Sequence, residues 1–145
     1  MPNRGNLFRD AIIEYIKQWA KQKNYKIDIA KEKIVGYRFL NNPRTIDILL
    51  HYNSRFLGIE AKLQETSGTA YQKLVYTLED CKKAPIPVII VFSGAGIKND
   101  VKSMLVTSGY GIEVKFTEDG KIKEDKPILL QRVAIELGIN WFDLL

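Results

Sequence analysis

At 145 residues the chain is long enough to bury one core and too short for two, so we expect a single domain over residues 1–145. A hydrophobic share of 46% and a charged share of 27% are ordinary for folded globular proteins and argue against a disordered or fibrous class. The formal net charge of +5 favours a polyanionic partner, and the lone cysteine, Cys81, excludes an internal disulfide.

The N-terminal part of the chain predicts a helix followed by extended segments. Apolar residues recur every three or four positions from Leu7 to Trp19, which is typical of a helix with one buried face. The pattern then becomes extended near Tyr25 to Ile29 and again near Ile34 to Phe39, before an Asn-Asn-Pro turn. These two segments are expected to contribute to a β-sheet.

The middle of the chain predicts a strand hairpin and a second helix. Thr45 to Tyr52 and Arg55 to Leu63 have strand character, and the polar residues between them suit a hairpin turn. Residues 66–69 offer helix-cap chemistry, and the apolar stripe that follows them predicts a helix ending near Lys83.

The C-terminal part predicts a buried strand and further α/β elements. Pro87 to Phe92 is a continuous β-branched run, as expected for a central strand covered on both faces. After it we expect a helix at 98–107, a strand at 111–116, a solvated turn at 118–126, a helix at 127–137, and a closing tail with Trp141, Phe142 and Leu144. This order predicts an α/β fold with a mixed β-sheet flanked by helices.

Two acidic residues and a lysine fall together on the predicted hairpin. Because side chains alternate along a strand, Asp47 is expected on the face opposite Ile46 and Ile48. Glu60 and Lys62 share one face of the second strand, and that face can meet Asp47 across the hairpin. Two carboxylates on adjacent strands suit Mg²⁺, and a neighbouring ammonium group can orient a water or offset charge on a pentavalent phosphate.

Ile46-Asp47, followed by Glu60-Ala61-Lys62, resembles the active-site signature of the PD-(D/E)xK nuclease superfamily, with Ile46 at the proline position. Members have a helix, a three-strand meander, a second helix and a further strand, similar to the order predicted from Leu7 to Phe92. The resemblance implies a restriction-endonuclease-like core, α-β-β-β-α-β with C-terminal α-β-α additions. It also implies a restriction-type or homing-type DNA endonuclease that leaves 5′-phosphate and 3′-hydroxyl ends, with Mg²⁺, or Mn²⁺ in its place, as cofactor. Its catalytic residues would be Asp47, Glu60 and Lys62.

The same resemblance suggests further site residues. Similar nucleases often carry an acidic residue on the first helix that completes the metal site, and Asp10 is preferred over Glu14 as this third ligand. Gln72 with Tyr76 resembles the Gln-x-x-x-Tyr pattern of helicase-coupled and recombination nucleases. Residues 64–73 join the catalytic strand to the second helix, and their hydroxyl, amide and ammonium groups suit a phosphate. The predicted nucleic-acid contacts are Gln64, Ser67, Thr69, Gln72 and Lys73.

Each candidate also has an ordinary structural interpretation. Asp47 alone fits an ion pair at a strand end, and Glu60 with Lys62 fits a solvated strand face, so only their combination favours a nuclease site. His51, the only histidine, suits either a proton shuttle or a hydrogen-bonded strand end and is left unassigned. Residues 93–96 lack the full spacing of a nucleotide-binding loop and predict a strand-to-helix turn.

The expected partner is double-stranded DNA, and the expected assembly is a homodimer or homotetramer, because one site cuts one strand at a time. Three alternatives stay open: a Holliday-junction resolvase, a catalytically silent DNA-binding module of the same fold, and an RNA-directed nuclease. The sequence shows neither a long apolar segment nor a signal-peptide pattern, so we expect no membrane association and a cytoplasmic location.

Overall fold

The computed structural model describes residues 3–66 and 70–139. Its first element is helix α1 (Arg4–Lys23), which begins at Asn3, whose side chain accepts a hydrogen bond from the Gly5 N–H. The helix ends at Asn24, which takes the left-handed conformation. The predicted first helix is confirmed, and it extends past both predicted ends. Its apolar stripe, with Ile12 fully buried, packs into the core.

Five strands form one mixed sheet in the order β1-β2-β3-β4-β5. The first three, β1 (Asp28–Tyr37), β2 (Pro43–Tyr52) and β3 (Arg55–Leu63), make an antiparallel meander. Strands β4 (Val88–Ser93) and β5 (Gly111–Glu113) continue the sheet in parallel with β3. The mixed sheet flanked by helices confirms the expected restriction-endonuclease-like α/β fold.

Helices cover both faces of the sheet. On one face, helices α2 (Ala70–Lys83) and α3 (Asn99–Thr107) enclose one apolar cluster with β4. On the other face, α1 and helix α4 (Ile128–Leu137) enclose a second cluster. Strand β4 is buried along its whole length because it contributes side chains to both clusters. It is the central strand that its continuous β-branched run predicts.

The structure differs from the sequence-based expectation in three elements. The strand expected at 111–116 is divided into β5 (Gly111–Glu113) of the main sheet and β6 (Lys115–Phe116) of a separate two-stranded sheet. Strand β1 is one strand rather than two segments, and its pairing with β2 continues on both sides of Glu32, which has a positive φ of 54°. The expected turn at 118–126 contains strand β7 (Ile122–Lys123), which pairs with β6 (Lys115–Phe116). Gly120, with φ of 80°, supplies the left-handed residue that this tight hairpin needs.

A short 3₁₀ turn (Phe39–Asn41) connects β1 to β2. Among the helices of the described ranges, none has the length and apolar character that a bilayer-spanning segment requires. Outside the described residues lie the expected tail residues Trp141, Phe142 and Leu144 and two predicted phosphate contacts, Ser67 and Thr69.

Candidate active site

The main-chain pairing of β2 with β3 stops at the site. It runs from Tyr52 opposite Arg55 as far as Ile48 opposite Ile59. One residue further, the Asp47 carboxylate accepts a hydrogen bond of 2.8 Å from the Ala61 N–H. A side chain therefore takes the place of a main-chain acceptor, and this fixes the Asp47 carboxylate against β3.

The alternation of side chains along β2 breaks at the same point. Ile46 packs in the cluster beneath α2 and α3, whereas Ile48 packs in the cluster beneath α1 and α4. The prediction that Ile46 and Ile48 share a face is therefore wrong. The break coincides with the end of the β2–β3 pairing and with Glu32, the positive-φ residue of β1 that lies between the partners of Ile46 and Ile48. Ile46 instead lies over Gly58: a Cβ added to Gly58 would be 3.0 Å from the Cγ2 of Ile46.

Glu60 and Lys62 lie on the same face of β3, as the sequence predicts. In the parallel ladder Glu60 is opposite Ile90 and Lys62 is opposite Phe92, and both partners belong to the cluster beneath α2 and α3. Glu60 is only 9% exposed, while Lys62 is half-buried. A carboxyl group so deeply buried is unusual unless it has a partner of opposite charge.

The Glu60 carboxyl is held next to that of Asp47. Burial raises the pKa of Glu60 to about 8, and the charge of Asp47 and a hydrogen bond between the two carboxyl groups add to the effect. The positive charges of Lys62 and Arg38 lower this pKa without cancelling the rise. Bringing the two acids together is unfavourable unless a proton or a cation lies between them. An oxygen-only pair of carboxylates is the donor set that Mg²⁺ and similar hard cations prefer.

The structure does not bring the expected third acidic ligand to this pair. Asp10 forms ion pairs of 3.2 Å with Arg9 and with Lys31, and Glu14 accepts a hydrogen bond from Gln18. Within residues 3–66 and 70–139, no group of three or more His, Cys, Asp or Glu side chains is placed to hold a metal. The arrangement thus supplies two protein carboxylates, and it gives no support to Asp10 as a third.

A cleft of about 400 Å³ opens beside Lys62. Its floor and walls come from β3, from helix α2 and from the link between β1 and β2. The described lining residues include three cations and no carboxylate: Arg38, Lys62, Gln72, Lys73, Tyr76 and Thr77. The structure therefore brings the predicted contacts Gln72 and Lys73 to the same cleft as Lys62.

Gln64 lies where β3 leaves the sheet and does not line this cleft. Its N–H donates to the Ser93 carbonyl at 3.0 Å, and its carbonyl accepts from the Gly96 N–H at 2.9 Å. A Cβ on Gly94 would collide with the Gln64 carbonyl, and one on Gly96 would collide with the Thr66 carbonyl. The glycines of the β4–α3 turn therefore permit a close backbone approach that anchors the chain after Lys62.

His51 has contacts that account for it without a catalytic role. Its Nδ1 lies 3.1 Å from the Asp28 carboxylate, and its ring stacks on Phe56 with centroids 4.6 Å apart. These contacts match the hydrogen-bonded strand-end interpretation of the residue.

Arg38 is a site residue that the sequence did not indicate. It follows β1, nine residues before Asp47, and its guanidinium donates to Asp80 of α2 at 3.2 Å. Arg44 is buried and donates to both Asp80 carboxylate oxygens at 3.0 Å. Burial tends to raise the pKa of Asp80, but the Arg44 hydrogen bonds and the charges of both arginines outweigh it, leaving the pKa below its usual value. No local pattern predicts this contact, because it joins elements about 40 residues apart.

The fold and the paired acids with a neighbouring lysine define the class as a nuclease of restriction-endonuclease-like architecture. A family model described as a PD-(D/E)XK nuclease superfamily domain matches residues 4–124, and the chain belongs to this superfamily. The match spans α1 to β7 and so includes Asp47, Glu60, Lys62 and the cleft. No curated protein matches the chain. Nucleases of this superfamily generally use divalent metals, which agrees with the chemistry of the carboxylate pair.

Proposed function

We propose that the protein is a metal-dependent, site-specific DNA endonuclease that hydrolyses phosphodiester bonds to 5′-phosphate and 3′-hydroxyl ends. The observation that carries the proposal is the buried Asp47–Glu60 pair next to Lys62, which lines a cleft together with two further cations. Such a combination has no structural benefit of its own, because it buries like charges together. It is suited to a substrate that brings phosphate groups and to a cation that the carboxylates can hold.

Each residue has a distinct proposed task. Asp47 and Glu60 would hold the divalent cation, Mg²⁺ or Mn²⁺ in its place, which when bound polarises a phosphate oxygen and lowers the pKa of a water molecule. Lys62 balances negative charge on the phosphate and orients the attacking water from the same face of β3. Gln72 and Lys73 position the backbone of double-stranded DNA through neighbouring phosphates, a task that carries no sequence information.

Cleavage of supercoiled plasmid and phage-length DNA with Mg²⁺ or Mn²⁺ tests this function. Wild-type protein should give discrete fragments, and EDTA should abolish them. Lys62→Ala should slow cleavage by at least about 100-fold, the usual effect of removing one charge-stabilising group. Lys17→Ala is the matched control, because Lys17 is an exposed lysine on α1, on the opposite face of the sheet from the site.

The products separate the alternatives. A smear instead of discrete bands would remove site specificity from the proposal and leave a nuclease. Cleavage of four-way junctions without cleavage of linear duplex would identify a Holliday-junction resolvase. Salt-dependent DNA binding without cleavage under either metal would identify a silent binding module.

A further inference from the structure

We propose that Arg38 binds a substrate phosphate in the Lys62 cleft, next to the phosphate that is cut, and that Asp80 and Tyr76 hold its guanidinium in position. The inference rests on the proposed function, because it assigns a further substrate contact to the same site. It concerns a residue outside the motif, contributed by the link between β1 and β2.

The position of Arg38 supports this role. It lines the same cleft as Lys62 and Lys73, so three cations surround a space of about 400 Å³. The charge of Arg38 also reaches the buried acid pair, since it lowers the pKa of Glu60 together with Lys62. A cation that lines the cleft together with Lys62 and Lys73 is placed to meet the backbone of a bound nucleic acid.

The guanidinium of Arg38 is held on two sides. Its Nε donates to Asp80 at 3.2 Å, and its central carbon lies 5.7 Å from the centre of the Tyr76 ring. The side chain nevertheless stays 35% exposed. An arginine fixed in this way loses less conformational entropy when it binds a phosphate than a freely rotating one.

Counting charges shows that Asp80 does not neutralise Arg38. Arg44 is 5% exposed in its side chain and occupies both Asp80 oxygens with two hydrogen bonds of 3.0 Å. One carboxylate shared by two guanidinium groups leaves one positive charge in the trio. Arg38 is the more exposed of the two arginines and therefore the one that a ligand can reach, whereas Arg44 has a structural role.

Binding of a fluorescent duplex by the full chain in EDTA, over a series of salt concentrations, tests the inference. Arg38→Ala should weaken binding roughly tenfold for any sequence and reduce the slope of log affinity against log salt by about one. Arg38→Lys should restore part of the affinity, because a point charge remains. Lys17→Ala serves as the charge control and should leave both the affinity and the slope nearly unchanged.

Cleavage kinetics and stability complete the test. Arg38→Ala should raise KM more than it lowers kcat, and thermal unfolding should be close to wild type because the Arg44–Asp80 pair stays intact. If the alanine variant does not fold, Arg38→Lys replaces it in the test: an affinity below that of wild type supports the inference, and an unchanged affinity and salt slope contradict it. If wild-type protein binds and cuts duplex and the Arg38 variants have the same affinity and salt slope, this inference alone is overturned. Wild-type protein that neither binds nor cuts duplex would overturn the proposed function and this inference together.

Discussion

Glu60 carries the main electrostatic conflict of the molecule. Its carboxyl is nearly inaccessible to water and lies beside a second carboxyl, so both burial and like charge oppose its ionisation. A core built for stability alone would not place an acid there. Such a conflict is expected where a site is organised for a ligand that supplies the missing charge.

The conflict predicts a pH-dependent effect of Glu60→Gln on the metal-free protein. The pKa of Glu60 is about 8 when folded, against an ordinary value of 4.5. Between these values the folded state binds more protons than the unfolded state, so stability falls as pH rises from 4.5 to about 8. Because glutamine stays neutral, the variant should be more stable than wild type above about pH 8, by on the order of 2 kcal/mol.

Urea unfolding in EDTA at two pH values measures this difference. Near pH 4 both side chains are largely uncharged in both states, so the two proteins should have similar free energies of unfolding. The advantage of Glu60→Gln should appear only at the higher pH. A constant difference at both pH values would indicate a packing effect and contradict the electrostatic explanation.

At the scale of elements, the decisive feature is the end of the β2–β3 ladder. Asp47 bonds to the Ala61 N–H with its side chain, and this holds the carboxylate at the edge of β3. The turn after β4 then anchors the chain that leaves β3, through hydrogen bonds at Gln64. The motif residues are thus fixed on one side by β2 and on the other by the β4–α3 turn.

Gly94→Ala should disrupt this second anchor. Gly94 has φ of 122°, and a Cβ there would collide with the Gln64 carbonyl. We expect a loss of about 2–4 kcal/mol in the free energy of unfolding, and slower cleavage because β3 loses its support. The backbone cannot relax easily, since the colliding atoms belong to a hydrogen-bonded strand end.

Gly109→Ala is the control for Gly94→Ala. Gly109 also has a positive φ, 82°, but no atom lies within 4 Å of an added Cβ. The Gly109→Ala substitution should lower the free energy of unfolding by only about 1–2 kcal/mol, the strain of an alanine in the left-handed conformation, and should leave cleavage intact. Denaturant midpoints of the two variants compare these costs. Equal losses would show that backbone strain, rather than the collision at Gln64, determines the effect.

The elements also show which structure a sequence can predict. The periodicity of α1 and the apolar run of β4 each reflect local burial, so both elements were predictable from their own residues. The displaced face of Ile46 was not, because it depends on how β2 pairs with both of its neighbours, β1 and β3. The β6–β7 hairpin was also hidden, since its strands are only two residues long and each contains a single apolar residue.

At the scale of the whole molecule, the site is assembled from elements that are distant in sequence. The motif residues come from one hairpin, so the sequence alone predicts that they lie together. Arg38 comes from the end of β1 and is held by Asp80 of α2, a contact that no local pattern encodes. Asp10 illustrates the converse, because its place on the first helix suggested a metal ligand, yet its side chain pairs with Arg9 and Lys31.

The proposed site predicts how a double-strand break must arise. One chain offers one Asp47–Glu60 pair, and a single site of this kind cuts one strand per event. We therefore expect a double-strand break to need two chains arranged about a symmetric target. On a plasmid with one target, nicked circles should dominate at low protein concentration, and linear product should rise more steeply than in proportion to protein.

Mixing wild type with Lys62→Ala at fixed total concentration tests the two-chain requirement. Mixed assemblies contain one competent site, so they should nick the plasmid and lower the yield of linear product more than simple dilution does. Sedimentation of the protein with and without target DNA would show the dimer or tetramer directly. The opposite result would be linear product that forms in proportion to protein and does not decrease further when the Lys62→Ala chain is added. If the protein also sediments as a monomer, one chain must cut both strands in succession.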